Sequence, residues 1–437
     1  MRELKININQ ATTIISILYI NNAFFGFIKD ITVLNAFCLL CMVLWVIVAS
    51  KESGFLQTCL KTCSSLIIYT VFIILVYFLN GSAFGPSLWQ NLRNAFFSLI
   101  CSFLCLYVLP QDKMHKRKVM IFLLANIMLG CVYTLYRIKD NPLLPRILAK
   151  GSEAVEMYLG GNVNTAGILT YGGIYGLSII IPSFLYWVSK KQGQYKIIPI
   201  IVMIICLYTI FKSQFAIALF FAIVGAILYL ILCGGHSKIR FVVSGIFVLL
   251  AFVFAVNWET ILSVIYNANI LPSALQQKAY ELMLYSGGRK LLGTNLYSRV
   301  TYYTQSIEAI IKNRFVGRVF INNAAGAGHT EWEDMAANYG LIAPVLIFIF
   351  FRKYSKRLAL YLDESNVMVY RIQLLIFMFI GFIDPIFHSR TMSYLLFLSP
   401  LILTMYQPDT QTTMIEEEQQ NLSVQSDLES GSDYSCE

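Results

Sequence analysis

The sequence predicts an all-α polytopic membrane protein, and three observations carry that expectation. Of 437 residues, 57% are hydrophobic and only 13% are charged, which is more apolar surface than a soluble core can hide. Charge-free runs long enough to cross, or nearly cross, a bilayer recur along the chain. Lys and Arg are distributed unevenly between connections that alternate in side.

The apolar runs fall near 11–28, 31–49, 64–80, 94–110, 119–136, 165–188, 197–211, 213–235, 241–258, 335–351, 372–389 and 391–406. They predict about twelve transmembrane helices. Eleven is the alternative count, because Asn21 and Asn22 interrupt the first run. That run has no small-residue cleavage site, so it is expected to be retained. Frequent Phe and Tyr suit a chain anchored at lipid interfaces.

With the N-terminus in the cytoplasm, the short inner connections carry eighteen Lys and Arg and the short outer ones four: Lys29, Arg93, Lys212 and Arg390. This bias places both termini in the cytoplasm. Two longer outer loops, about 137–164 and 259–334, hold the remaining eleven. Nine of the ten cysteines precede Gly234, in or beside apolar runs, and Cys436 is in the tail. Neither outer loop has one, so no disulfide is expected there. Cys38 and Cys41 have CxxC spacing inside a span, where packing outweighs metal binding.

Residues 1–406 therefore form the membrane domain. The tail, 407–437, has eight acids, no Lys or Arg, and much Glu, Gln and Ser. Such a composition cannot bury a core, and a disordered cytoplasmic tail is expected. No nucleic-acid partner is expected.

The second outer loop holds the densest chemistry. Between Lys278 and Arg318 it has seven basic residues, opposed by Glu281 and Glu308. Val300, Tyr303, Ile307, Ile310 and Ile311 fall at helical spacing, so 300–313 predicts an amphipathic helix on the membrane surface. Arg299 would stand at its start and Arg314 at its end. On charge alone, lipid-surface or solvated roles outweigh a specific anion site; guanidinium groups nonetheless bind phosphate bidentately.

The stretch GAGHTEWEDMAANYG, Gly326 to Gly340, follows. Thr330 and Glu333 have capping-box spacing, which predicts a helix from Glu331 that runs on into the next span. His329 would sit on the turn before it, at the outer surface. A lone histidine is more often a plain interface residue than a catalyst. Glu331, Glu333 and Asp334 already complement the helix dipole, so this terminus suits sugar hydroxyls better than phosphate. Asp384 is an intramembrane acid, which marks function or a buried partner; His388 is a weaker candidate beside it.

Three segments carry a resemblance: Ser298-Arg299, NRFVG at Asn313–Gly317, and GHTEWEDMAANYGL at Gly328–Leu341. GNVNTAGI, Gly161–Ile168, adds an asparagine entry at Asn164. On these residues the chain resembles the O-antigen polymerase and ligase family, especially the Wzy-type polymerases of capsule and exopolysaccharide synthesis. In that pattern an arginine opens a helix, a turn with glycine follows, and a His-led helix ends in Tyr-Gly-Leu. Two departures stand out. Gln214 replaces an arginine that often opens a mid-chain span, with Lys212 two residues earlier, and Arg314 replaces the turn proline.

The resemblance implies a metal-independent glycosyltransferase of the bacterial plasma (inner) membrane, without cofactor. Its substrate would be an oligosaccharide on polyprenyl (undecaprenyl) pyrophosphate, polymerised at the outer face within the lipid bilayer. A flippase and a chain-length regulator are the protein partners it implies. Arg299 would bind the pyrophosphate, helped by Lys212, Arg314, Arg289 or Arg137. His329 would orient or deprotonate the acceptor, with Asn164, Glu331 and Asp334 as further acceptor-side candidates. The chain has no Asp-x-Asp pair to hold a nucleotide-sugar metal. A ligase that moves lipid-linked glycan to another acceptor is the near alternative. A flippase or exporter is the distant one, and it would need charges within the spans.

Overall fold

The computed structural model describes residues 8–21, 32–139, 141, 143–149, 157, 167–190, 197–233, 245, 256–257, 260–264, 266–267, 273–286, 295–313, 315–318, 326, 328–387 and 389–404. Every regular element among them is a helix. In chain order these are α1 (Ile8–Asn21), α2 (Thr32–Ala49), α3 (Phe55–Val108), α4 (Lys113–Ile138), α5 (Leu144–Ala149), α6 (Tyr171–Lys190) and α7 (Ile197–Lys212). They continue with α8 (Ala216–Cys233), α9 (Ser273–Ser286), α10 (Asn295–Lys312), α11 (Trp332–Tyr339), α12 (Ile342–Leu358), α13 (Glu364–Gly381) and α14 (Arg390–Leu403).

Five stretches are long and apolar enough to cross a membrane: Phe55–Val76, Asn91–Val108, Lys113–Ile138, Tyr171–Lys190 and Ala216–Cys233. Ile8–Ile20, Ala36–Ala49, Ile197–Lys212 and Arg390–Leu403 are shorter apolar helices. The run expected over 241–258 lies almost wholly outside the described residues, and the tail lies entirely outside them.

Two of the crossing stretches are the arms of α3. A straight helix of its 54 residues would be about 80 Å long. Yet the rings of Phe55 and Tyr107 are 5.3 Å apart, and the Tyr107 hydroxyl donates to Glu52 at 2.8 Å. The helical run therefore doubles back between its arms, and the two expected spans pack side by side.

Burial sorts the helices into centre and periphery. In Tyr171–Lys190 83% of the apolar window is buried, against 28% in Ala216–Cys233. So α6 is the central helix and α8 turns most of its surface outward, as a lipid-facing helix does. Small residues let α6 approach α14 closely. A Cβ on Gly172 would lie 1.9 Å from Ser389 Oγ, and one on Gly176 would lie 2.4 Å from Leu395 Cδ1. Buried polar pairs then tie the centre together, because an unpaired polar group in an apolar bundle is costly. Gln373 donates to Ser183 at 2.6 Å, Ser399 donates to Gln373 at 2.8 Å, and Asn126 donates to Tyr394 at 3.1 Å.

The amphipathic helix forms as α10, but its faces are reversed relative to simple burial. Val300, Ile307 and Ile311 are exposed, whereas Ser306, Ala309 and Asn313 are buried. Small and polar residues make the contact with α11. Of the expected apolar stripe, Val300, Ile307 and Ile311 are left outward, which suits a lipid surface better than water, while Tyr303 and Ile310 are half-buried.

Three further expectations are corrected. The helix expected from Glu331 begins at Trp332, with Glu331 in the capping position and no side-chain cap bond. The expected Thr330–Glu333 box is not completed: the side chains of the two residues interact, but the Thr330 amide donates to Asp334 Oδ2 at 2.7 Å rather than to Glu333. Nor does this helix run on into the span. It stops at Gly340, whose φ is +77°, and α12 starts separately. The break is set by a close backbone approach. The Arg318 amide donates to Asn338 O at 2.8 Å and the Leu341 amide to Phe315 O at 3.0 Å.

Candidate functional site

Three segments converge on the connection 382–389 between α13 and α14. From α10, Arg299 donates to Asp384 Oδ1 at 2.8 Å and to the Ile383 carbonyl at 2.5 Å, and Tyr303 donates to the Phe382 carbonyl. From α6, Tyr175 donates to Asp384 Oδ2 and Tyr171 to the Pro385 carbonyl at 2.8 Å. From the α11 entry, the Glu331 amide donates to Gly381 O at 2.7 Å, and Glu331 Oε2 accepts from the Phe387 amide at 2.8 Å. The connection has few backbone bonds of its own, so these side chains supply the partners its polar groups need.

Two more cations reach this place. Lys278 on α9 pairs with buried Glu281 at 2.9 Å. Burial holds its ammonium below the usual lysine range, Glu281 opposes this, and the nearby Arg299 and Arg146 depress it further. Arg146 on the short helix α5 donates to the Gln214 carbonyl, and its guanidinium lies 5.4 Å from the centre of the Phe215 ring. Phe215 in turn meets the Tyr175 ring edge-on at 5.9 Å. Burial lowers the Arg299 guanidinium, but Asp384 outweighs it and the group stands above its ordinary value. Arg299 is thus fully charged and held in position. Among the described residues, Asp384 and the Ile383 carbonyl use two of its five N–H groups.

His329 stands at the edge of the cluster. Its imidazole stacks on the Tyr302 ring, centroids 3.8 Å apart and planes 17° from parallel. Tyr302 covers one face, and the residue as a whole is exposed. Burial pushes its pKa below 6.5; Asp334 opposes the shift and Arg299 adds to it. The ring is therefore neutral near pH 7 and able to accept a proton.

The other expected residues divide. Asp334 is buried and accepts from Ser306 Oγ at 2.6 Å and from the Thr330 amide. It fastens α10 to α11, as Glu331 fastens α11 to the connection. Both carboxylates are committed to internal hydrogen bonds, which suits positioning rather than proton transfer. Arg137 stays on its own helix, donating to Tyr133 at 3.3 Å. Lys212 is exposed, its ammonium 5.6 Å from the Tyr208 ring centre. Neither joins the cluster. Asn164, Arg289, Arg314 and His388 lie outside the described residues. The residues that the motif reading did not place in the site are Arg146, Lys278, Tyr175 and Tyr302. Arg146 is tied to the Gln214 backbone, a long-range contact that no sequence pattern signals.

Among the described residues, no group of three or more His, Cys, Asp or Glu could hold a metal ion. The class defined by fold and site is an all-helical protein with several helices fit to cross a membrane and a cation cluster where α13 ends and α6 and α14 begin. Compared with known proteins, the chain matches no family model and no curated protein.

Proposed function

We propose that the protein is a membrane-embedded glycosyltransferase that polymerises polyprenyl-pyrophosphate-linked oligosaccharide repeats into a surface polysaccharide at the outer face of the plasma membrane. The observation that carries this reading is the convergence of Arg299, Lys278 and Arg146, cations from three separate segments, beside a neutral histidine. A segment that merely coats a lipid surface has no need to bring cations from separate parts of the chain within electrostatic reach of one another.

In this reading the bond between the donor sugar's anomeric carbon and the pyrophosphate oxygen breaks, and its electron pair stays on the pyrophosphate. Arg299, Lys278 and Arg146 stabilise that growing charge; because they are already held in place, little reorganisation opposes the step. The acceptor hydroxyl forms the new bond, and its proton passes to His329. Asp384 and Glu281 offset two of the three positive charges. The net attraction of the described groups is therefore modest, and geometry contributes as much as charge.

Two outcomes follow. In cells lacking the protein, single lipid-linked repeats should reach the outer face and never form longer chains, as read from the size distribution of lipid-linked and surface glycan. Long chains retained on the carrier lipid would mean a ligase, and repeats trapped on the cytoplasmic face a flippase. Second, kcat/KM should be flat near neutral pH and fall on acidification, with the acid limb below pH 6.5 because burial depresses His329. A limb that persists unchanged in His329→Gln would remove His329 from the proton transfer.

A further inference from the structure

A second basic place adjoins the C-terminal end of the same connection. A cavity of about 280 Å³ is lined by Arg93 and Asn94 of α3, Thr170 and Tyr171 at the start of α6, and Ser389, Arg390 and Thr391 at the start of α14. No carboxylate is among these residues, and neither arginine takes part in the ion pairs found among the described residues. Arg390 is held by rings instead: its guanidinium lies 5.0 Å from the Phe97 ring centre and 5.8 Å from that of Tyr19. Such stacking fixes the guanidinium plane without neutralising it or using its N–H groups. Two helix N-termini, those of α6 and α14, add positive potential at the same place. Tyr171 is the shared wall: it lines the cavity and bonds to Pro385, one residue from Asp384.

We propose that this cavity is a second anion site, which seats the phosphate of a second lipid-linked molecule beside the Arg299 cluster. Its volume sits just under the range of about 300–1,000 Å³ usual for pockets that enclose drug-sized ligands, so it suits a headgroup rather than an oligosaccharide. Two guanidiniums, two helix termini and the hydroxyls of Thr170 and Thr391 are the chemistry of a phosphate seat. The lipid-linked identity of the ligand rests on the proposed function; the anion preference of the cavity does not.

The test is a count of sites on the purified full-length protein, by equilibrium binding of farnesyl pyrophosphate, with inorganic pyrophosphate as the second probe. The wild type should bind two equivalents. Arg93→Gln and Arg390→Gln should each weaken one of them about tenfold or more, and Arg299→Gln the other. Arg390 packs on two rings and its variant can misfold, so Arg93→Gln, at an exposed position, carries the test if it does. One equivalent, lost in Arg299→Gln and kept in Arg93→Gln, overturns the second site and leaves the proposed function standing. One equivalent with the opposite pattern supports the cavity and overturns the reading of the Arg299 cluster. Equal affinity of inorganic pyrophosphate and the farnesyl probe for the cavity overturns a lipid-linked ligand there.

Discussion

Replacing Arg299 with alanine should stop polymer formation while single lipid-linked repeats accumulate. The expected loss in kcat is on the order of 10²–10³-fold, the usual effect of removing one fixed donor aimed at developing charge. The side chain has two duties. It holds the connection 382–389 through Asp384 and the Ile383 carbonyl, and in the proposed reaction it also stabilises charge on the pyrophosphate. Arg299→Lys separates them. A lysine keeps the charge but cannot fork onto both partners, so it should fold normally yet recover little activity. Asp384→Asn supplies the second control. If Asp384 only positions the arginine, this variant should lose much less activity than Arg299→Ala. Protein level and thermal stability must be read alongside, because Arg299→Ala leaves a half-buried carboxylate with Tyr175 as its remaining side-chain partner among the described residues. If polymer length and amount stay normal at a normal protein level, Arg299 has no part in the chemistry.

Gly317→Ala should destabilise the protein by about 3 kcal/mol or more, combining left-handed strain with overpacking against backbone. Gly317 has φ +77°, and a Cβ there would fall 2.3 Å from the Gly340 amide nitrogen and 2.7 Å from the Asn338 carbonyl oxygen. Neither atom can move without opening the contact that ends α11. Gly328→Ala is the matched control. Its φ is +78° with nothing within 4 Å of the added carbon, so it should cost only the strain, about 1–2 kcal/mol. Thermal unfolding of both variants in detergent decides the matter: equal losses would mean that the close approach of the two turns contributes nothing. Loss of activity should follow loss of the contact, because α11 carries Glu331 and Asp334 against the connection and α10.

This contact also shows how far motifs can be read. Gly317 and Gly340 stand out in the sequence as members of two separate short patterns. Their physical link, one backbone lying against the other, appears only in the fold. The amphipathic period of α10 is equally legible, since helical spacing is a local property. Which face turns inward is not: Ser306 and Asn313 pack because Asp334 and Ala337 accept from them. The site shows the same division. Arg299 and His329 are visible as unusual residues in a polar loop. Arg146 and Lys278 look like any other loop cations until α5 and α9 bring them within electrostatic reach of Tyr175 and Arg299.

By itself the sequence determined the class: apolar runs, their charge-poor interiors and the helical period of α10 are set by local composition and need no partner. It also marked Arg299, His329 and Asp384 as residues whose placement has a cost that function or pairing must offset. Only the tertiary structure decided that Arg299 meets Asp384 across 85 positions, that Lys212 and Arg137 stay apart, and that α3 folds back on itself. The physical reason is that a membrane helix is specified by its own backbone bonds and its own side chains. The convergence of loop cations depends on how separate helices pack, through small residues and a few long-range polar contacts that no local pattern encodes.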